Sequence, residues 1–554
     1  MNEEPDQLDR ALHAFWGHML GGMSPAAQVL AWSDWAIHLA TQPGRATKAA
    51  IGASAVQAPE PAHDSRLAGE EWDSWPFSLY RQAHEANAHR LRALIHGVPG
   101  VERHHEQLVA FMARQWLELS SPANSALTNP QVLQKIAATG GSSLVNGAIH
   151  WLEDAGRMAF GLPPHDLGAF RPGHEIAVTP GKVILRNDLI ELIQYTPTTP
   201  TVHAEPVLIV SAWIMKYYVL DLSPHNSLIR YLVDKGHTVF AVSWKNPDAA
   251  DAEFGMAEYL RLGVMASLDA VEAVMPQHRI HAVGYCLGGT LMAIAAAAMA
   301  RDGDDRLASL TLLAAQTDFC EPGELGLFID ESQLAFLEDI MSHQGYLSAE
   351  QMAAAFQVPR PGDLIWGPMV HRYLLGERVA MTDLMAWNAD GTRMPRRMHA
   401  DYLRGLFLEN SLAAGRYEVE GRPVSLGDID VPVFALGTRT DHVAPWRSVY
   451  KIHLLCDAET TFVLTEGGHN AGILSEPGHP HRSHRVLNRP KNTTYIAPDE
   501  FLDRSQEISG SWWPCFEQWL AARSGPSRRP PSMGSPRRGY PPVGEAPGAY
   551  VLGH

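Results

Sequence analysis

Cysteine is scarce in this chain: four among 554 residues, Cys286, Cys320, Cys456 and Cys515, and none forms a CxxC pair. That excludes a disulfide framework and a cysteine-built zinc site, and it fits a reducing cytosol. Basic residues are outnumbered, 44 Lys and Arg against 61 Asp and Glu, giving a formal charge of −17. A general nucleic-acid-binding surface is therefore not expected. Uninterrupted apolar runs are short, and none reaches the ~18 residues of a membrane-spanning helix. We therefore expect no transmembrane segment. The first residues, Met1-Asn2-Glu3-Glu4, are acidic and neither basic nor apolar, so no signal peptide is expected. Internal repeats are lacking as well. What remains is a globular composition, 45% apolar and 19% charged, in a chain long enough for roughly two to four domains.

What is present centres on Gly284-Tyr285-Cys286-Leu287-Gly288-Gly289-Thr290. Residues 280–283 before it read as a buried strand, and residues 291–300 after it as an alanine-rich helix. Strand, Gly-x-nucleophile-x-Gly, helix is the nucleophile elbow of α/β-hydrolases. The glycines permit a sharp turn and close approach of strand to helix. The nucleophile position holds a cysteine, and the orphan N–H groups at the helix start favour its thiolate. The plainer reading is a small-residue turn carrying a buried thiol.

Along the chain, residues 8–19 and 25–39 are amphipathic helix candidates, and residues 46–68, rich in Ala, Pro, Gly and Ser, read as a mobile linker. Helical periodicity follows over 72–96, 104–119, from Asn129-Pro130 onward, and over 142–158. Strands are expected at 175–178, 183–186, 189–195, 207–210, 237–244, 280–283 and 310–315, with helices at 227–235 and 257–274. Strands alternating with helices mean a parallel sheet with crossover helices. Residues 318–426 are aromatic-rich and mostly helical, an insertion that would cap the sheet. The sheet resumes at 431–436 and 461–464, and the Pro/Arg/Gly/Ser-rich tail after Ser524 reads as extended or disordered. The expected architecture is an α/β-hydrolase fold with a mostly parallel sheet, a helical cap and a helical N-terminal region. Its divisions are a poorly defined segment and linker (1–68), a helical domain (69–170), a catalytic domain (171–524, cap about 318–426) and a tail (525–554).

A thiolate nucleophile needs a base, and the base an orienting acid. In α/β-hydrolases they follow in the order nucleophile, acid, histidine, each on a loop after a strand. Residues 433–440 run into Asp441-His442, and residues 461–468 into His469. Singly, such an Asp is more often a turn or N-cap residue, such a His a surface residue, and His442 competes with His469. Together, Cys286, Asp441 and His469 stand in the right order at strand ends. Backbone oxyanion donors are expected from Leu287, which follows the nucleophile, and from the 211–214 loop, at Trp213 and Ile214.

These stretches resemble the bacterial polyhydroxyalkanoate synthases, in particular the single-polypeptide class I type. The resemblance rests on the elbow, on 218–228 (Tyr-Val-Leu-Asp-Leu-Ser-Pro-His-Asn-Ser-Leu), on 236–248 beginning Gly236-His237-Thr238, and on Asp441-His442-Val443-Ala444-Pro445-Trp446. Gly468-His469-Asn470-Ala471-Gly472, Gly510-Ser511-Trp512-Trp513-Pro514, and in the helical region Leu119-Ser120-Ser121-Pro122 with Leu127-Thr128-Asn129-Pro130, fit too. It spans about residues 70–524, and Pro547 to Val551 is similar to a family ending. By that resemblance Cys286 is the nucleophile, Asp441 the acid and His469 the base. The substrate is an (R)-3-hydroxyacyl-CoA, with C3–C5 monomers favoured by the His-Asn-Ala-Gly stretch. Its acyl group passes to Cys286 as a thioester, releasing CoA, and the next hydroxyl attacks. The resemblance further implies no metal or redox cofactor, a growing polyester chain and granule surface as partners, a homodimer, and a cytoplasmic, granule-associated location.

Two departures mark a divergent branch. The family's Pro-Pro-Trp-Ile-Asn-Lys reads Ser211-Ala212-Trp213-Ile214-Met215-Lys216, and its Asn-Gly-Asp reads Asn388-Ala389-Asp390. The nearest rival is a thioesterase or depolymerase with a cysteine nucleophile, in which water deacylates Cys286. A second is a non-catalytic granule- or partner-binding protein. Lys216, Lys245 and Arg439 are possible contacts for CoA phosphates, against the plainer reading of solvated surface cations.

Overall fold

The computed structural model describes residues 23–50, 64–357 and 362–553. The helix candidate at 8–19 lies outside them. The N-terminal part is helical: α1 (Pro25–Ala40), α2 (Phe77–Ile95), α3 (Arg103–Leu119), α4 (Pro130–Thr139) and α5 (Ser142–Ala159). Local chemistry sets several of these boundaries. Ser24 Oγ accepts the Ala27 N–H at the start of α1. Asn129 Oδ1 accepts the N–H groups of Gln131 and Val132 ahead of the first-turn Pro130. Gly140, left-handed, ends α4.

Eleven strands form one sheet: β1 (Gly181–Arg186), β2 (Ile190–Tyr195), β3 (Val207–Val210), β4 (Val239–Trp244), β5 (Ile280–Tyr285), β6 (Leu307–Leu313), β7 (Val433–Thr438), β8 (Thr460–Thr465), β9 (Ser483–Arg489), β10 (Glu507–Ser509) and β11 (Gly544–Glu545). Their order is β10-β9-β8-β7-β6-β5-β3-β4-β2-β1-β11. From β4 to β8 every neighbouring pair is parallel, and the outer strands on both sides are antiparallel. The parallel strands are buried along nearly their whole length because each face carries its own apolar core. Leu208, Val242, Ala282 and Leu312 point into one core, and Ile209, Val283, Leu313 and Leu436 into the other. Between β6 and β7 the chain leaves the sheet for a mostly helical excursion over its C-terminal edge, including Glu331–Gln344 and Arg396–Tyr402.

Several local expectations change. Residues 175–178 are not a strand: Ala177 takes φ 51° and donates its N–H to Asp221, which bends the chain away from the sheet. Trp72 belongs to a separate short turn, Glu70–Asp73, and α2 begins only after Pro76. The expected linker is helical at its start, in Pro43–Ala50, and tied down at its end, where Arg66 pairs with Asp64 and Glu118. The tail is extended but not loose. Arg528 bridges Val202, β11 pairs with β1, and Glu191 accepts the N–H groups of Ala549 and Tyr550.

Candidate active site

Backbone strain marks the site. Cys286 sits at φ 52°, ψ −126°, a conformation that costs a non-glycine residue about 1–3 kcal/mol. It joins β5 to α6 (Leu287–Asp302), a helix that starts directly after it and not at residue 291. Its N–H donates to Leu313 O at 2.9 Å. The turn depends on close approach. A Cβ on Gly284 would overlap Gly289, and one on Gly288 would overlap the Val210 carbonyl. So the elbow packs against the end of β3, and the first N–H of α6, that of Leu287, has no carbonyl one turn back to bond.

Asp441 lies three residues past β7 and is buried. Its Oδ1 accepts the N–H groups of Val443 (2.8 Å) and Ala444 (2.9 Å), and its Oδ2 accepts Thr438 Oγ1 (3.0 Å). His469 Nδ1 donates to the same Oδ2 at 2.7 Å. With Nδ1 occupied by Asp441, Nε2 is the ring nitrogen left for the Cys286 thiol, whose charge acts on the His469 ring. Burial disfavours charge on Asp441, but the His469 charge, its hydrogen bond and the two backbone N–H groups outweigh burial and hold the carboxyl below its usual range. Burial likewise opposes an imidazolium at His469, yet Asp441 first and Cys286 second push its pKa well up. His442 lines a different cavity, so of the two candidate histidines it is His469 that meets Asp441.

The loop carrying His469 is stapled from beneath. The indole N–H groups of Trp512 and Trp513 donate to Gly472 O and Ile473 O, each at 3.0 Å. This role is not legible in the sequence, although two adjacent tryptophans in an apolar segment do signal buried N–H groups in need of acceptors.

The 211–216 loop is held through its carbonyls: Trp244 Nε1 donates to Ser211 O (2.8 Å), Thr392 Oγ1 to Trp213 O (3.0 Å) and Trp387 Nε1 to Lys216 O (2.8 Å). Met215 pairs antiparallel with Gly391. The two departures from the family pattern thus meet at one place, Met215 on the loop and Ala389 two residues before its partner. Ile214 and Leu287 line a pocket of about 20 Å³ around Cys286, with Phe319, Tyr402 and Phe407 from the excursion. Trp213 does not line it; its indole packs behind Tyr402, 6.3 Å between ring centres.

None of the three cations considered for phosphates is free. Lys216 is buried and donates to Gly553 O (2.5 Å) and Tyr550 O (3.5 Å). Lys245 pairs with Asp251 (2.8 Å) and Arg439 with Glu466 (3.0 Å).

The strand order, the strained cysteine between strand and helix, and the histidine–carboxylate pair at neighbouring strand ends define an α/β-hydrolase-fold protein with a thiol at its elbow. The family model of the alpha/beta hydrolase fold matches residues 205–476. Those described as poly-beta-hydroxybutyrate polymerase N-terminus match residues 63–232 and 3–45. The poly(3-hydroxyalkanoate) polymerase subunit PhaC of Rhizobium meliloti is 39% identical over 495 residues, covering 88% of this chain and 79% of that one. The poly(3-hydroxyalkanoate) polymerase of Methylorubrum extorquens is 38% identical (89% and 81%), and the PhaC subunit of Cupriavidus necator 35% (91% and 85%). The chain belongs to the poly-beta-hydroxybutyrate polymerase family, whose curated relatives are acyltransferase-type enzymes.

Proposed function

We propose that this protein polymerises (R)-3-hydroxyacyl-CoA into polyhydroxyalkanoate through a thioester on Cys286. The observation that carries this is the Cys286–His469–Asp441 array, with Cys286 opening onto a small pocket walled by Phe319, Tyr402 and Phe407. His469 takes the thiol proton, and the thiolate attacks the thioester carbonyl carbon. The N–H groups of Leu287 and of the 213–214 loop stabilise the oxyanion. Collapse expels the CoA sulfur, which takes the proton from His469, and free CoA leaves. The 3-hydroxyl of the next unit or of the chain then gives its proton to His469 and attacks the acyl-Cys286 carbonyl. The Cys286 sulfur departs, takes that proton back from His469, and the ester forms. Asp441 holds His469 in the required tautomer and offsets its charge throughout.

Exchange between two thioesters is nearly balanced in free energy, which suits a thiol better than a hydroxyl. The acceptor hydroxyl must then outcompete water, and the aromatic wall of Phe319, Tyr402 and Phe407 supports a site that excludes it. The steps as written call on no metal or redox group. The protein would act in the cytoplasm at the polymer granule surface, as a homodimer. Incubating the purified chain with (R)-3-hydroxybutyryl-CoA tests the reading: CoA release with polymer is expected. CoA release with free 3-hydroxybutyrate and no polymer would instead make it a thioesterase.

A further inference from the structure

The pocket at Cys286 shares two walls, Phe319 and Phe407, with a far larger cavity of about 1210 Å³. That cavity lies between two regions of the chain. Helices α2 and α3 supply Arg92, Arg103 and Arg114 on one side, and the segments around Phe319–Leu327 and His442–Arg447 form the other. Most of its charges are already neutralised. Glu324 pairs with Arg114 (3.1 Å), Glu321 with Lys451 (3.0 Å) and Arg447 with Asp499 (2.5 Å). Two cations are not. Arg92 has a buried Nη1 with no hydrogen-bond partner, and no carboxylate pairs with it among the described residues. Burial, and then the neighbouring Arg114 charge, push its guanidinium below its ordinary value. Arg103 is exposed and also has no ion-pair partner among the described residues.

A guanidinium held beside a second guanidinium, half out of water and without an anion, is an unfavourable arrangement. An anionic ligand relieves it. The helical wall also carries the exposed Glu102 carboxylate beside Arg103, but with three guanidiniums it is net cationic, and the cavity is apolar where it meets the Cys286 pocket. The substrate class above has the same polarity: a phosphorylated nucleotide at one end, a neutral pantetheine arm, and the reacting thioester at the other. Arginine is the side chain suited to bidentate phosphate recognition.

Resting on the reading of function above, we propose that Arg92 and Arg103 of the helical region bind the phosphates of the CoA thioester, with the pantetheine arm passing Phe319 and Phe407 to Cys286. The helical region is then part of the substrate site and not an appendage to the sheet.

The test is equilibrium binding of free CoA and of pantetheine, which lacks the phosphates, to the full chain, to Arg92→Ala and to Arg103→Ala. The expectation is that each variant weakens CoA about three- to tenfold, lowers the salt dependence of CoA binding, and leaves pantetheine binding unchanged. Arg103→Ala, at an exposed position, keeps the test valid should Arg92→Ala fold poorly. Equal CoA affinity in wild type and Arg103→Ala, or a loss shared equally by CoA and pantetheine, would overturn the proposal. Binding is scored apart from turnover, so failure to form polymer would count against the proposed function and not against this site.

Discussion

The Tyr285 hydroxyl donates to Asn470 Oδ1 at 2.5 Å, so the residue before the candidate nucleophile grips the residue after the candidate base. The Tyr285 ring also lies 5.6 Å from that of His469. Elbow and histidine loop are thereby set relative to each other by a side chain that need not touch substrate. Tyr285→Phe keeps the ring and removes the hydrogen bond. We expect kcat to fall about three- to tenfold, the equivalent of ~1 kcal/mol, with KM little changed. Steady-state kinetics check it, and an unchanged kcat would show that Asn470 is not what holds His469.

Close packing at the elbow predicts intolerance of one methyl group. In Gly288→Ala the new Cβ meets the Val210 carbonyl and Ser211 backbone, neither of which can rotate aside. The loop or the helix must shift, at a cost of about 1–3 kcal/mol or more. Activity should fall more than the melting temperature suggests, because the displaced loop is the one expected to supply oxyanion donors. Wild-type kcat/KM in this variant would contradict that placement.

The C-terminal segment acts as a latch on the same loop. Lys216 donates its buried ammonium to the carbonyls of Tyr550 and Gly553, and Glu191 accepts the N–H groups of Ala549 and Tyr550. Deleting residues 550–554 strands a buried cation, and the expected loss of stability is about 3 kcal/mol. Lys216→Met in the shortened chain should restore part of it. Thermal unfolding of the full, shortened and doubly altered chains measures both effects.

Two buried histidines are expected to make the protein acid-labile. His453, whose ring lies tilted against that of Tyr450 with 4.4 Å between centres, has no hydrogen-bond partner for either ring nitrogen among the described residues, and burial, then the Arg489 charge, lower its pKa to about 3. Burial, then His203 and His281, lower that of His237 to about 3 as well. The unfolded chain binds these protons near pH 6.5 and the folded one does not. Stability is therefore fully present above about pH 6.5 and lost as pH falls toward 3, at up to ~1.4 kcal/mol per pH unit for each group. Urea unfolding between pH 7 and 4.5 should show this slope, and His453→Phe should flatten it. An unchanged slope would mean His453 is protonated in the folded state.

The sequence reads best where chemistry and geometry coincide. The glycines around Cys286 have to be there for the strand and helix to touch. Asp441 and His469 each follow an apolar strand, so chain order and spacing are enough to locate their loops. Of the outer antiparallel strands, the apolar-rich β1 and β2 are legible at 183–186 and 189–195, but β9 is not, because Ser483–Arg489 is mostly polar around Val486 and Leu487. The tail is obscure for a related reason. A segment rich in Pro, Arg and Gly has no core of its own, and its order comes from buried groups far away in sequence, Glu191, Gln194 and Lys216, whose partners it supplies. Cavities between regions, such as the one beside Arg92, have no local signature at all.

The central claim is that Cys286 carries the acyl group. Rapid quenching of the protein with (R)-3-hydroxybutyryl-CoA, followed by intact-mass and peptide mass spectrometry, measures it directly. The account predicts a hydroxyacyl adduct on Cys286 that hydroxylamine removes, and neither adduct nor polymer with Cys286→Ala. An adduct on any other residue, or polymer formed by Cys286→Ala, would contradict it.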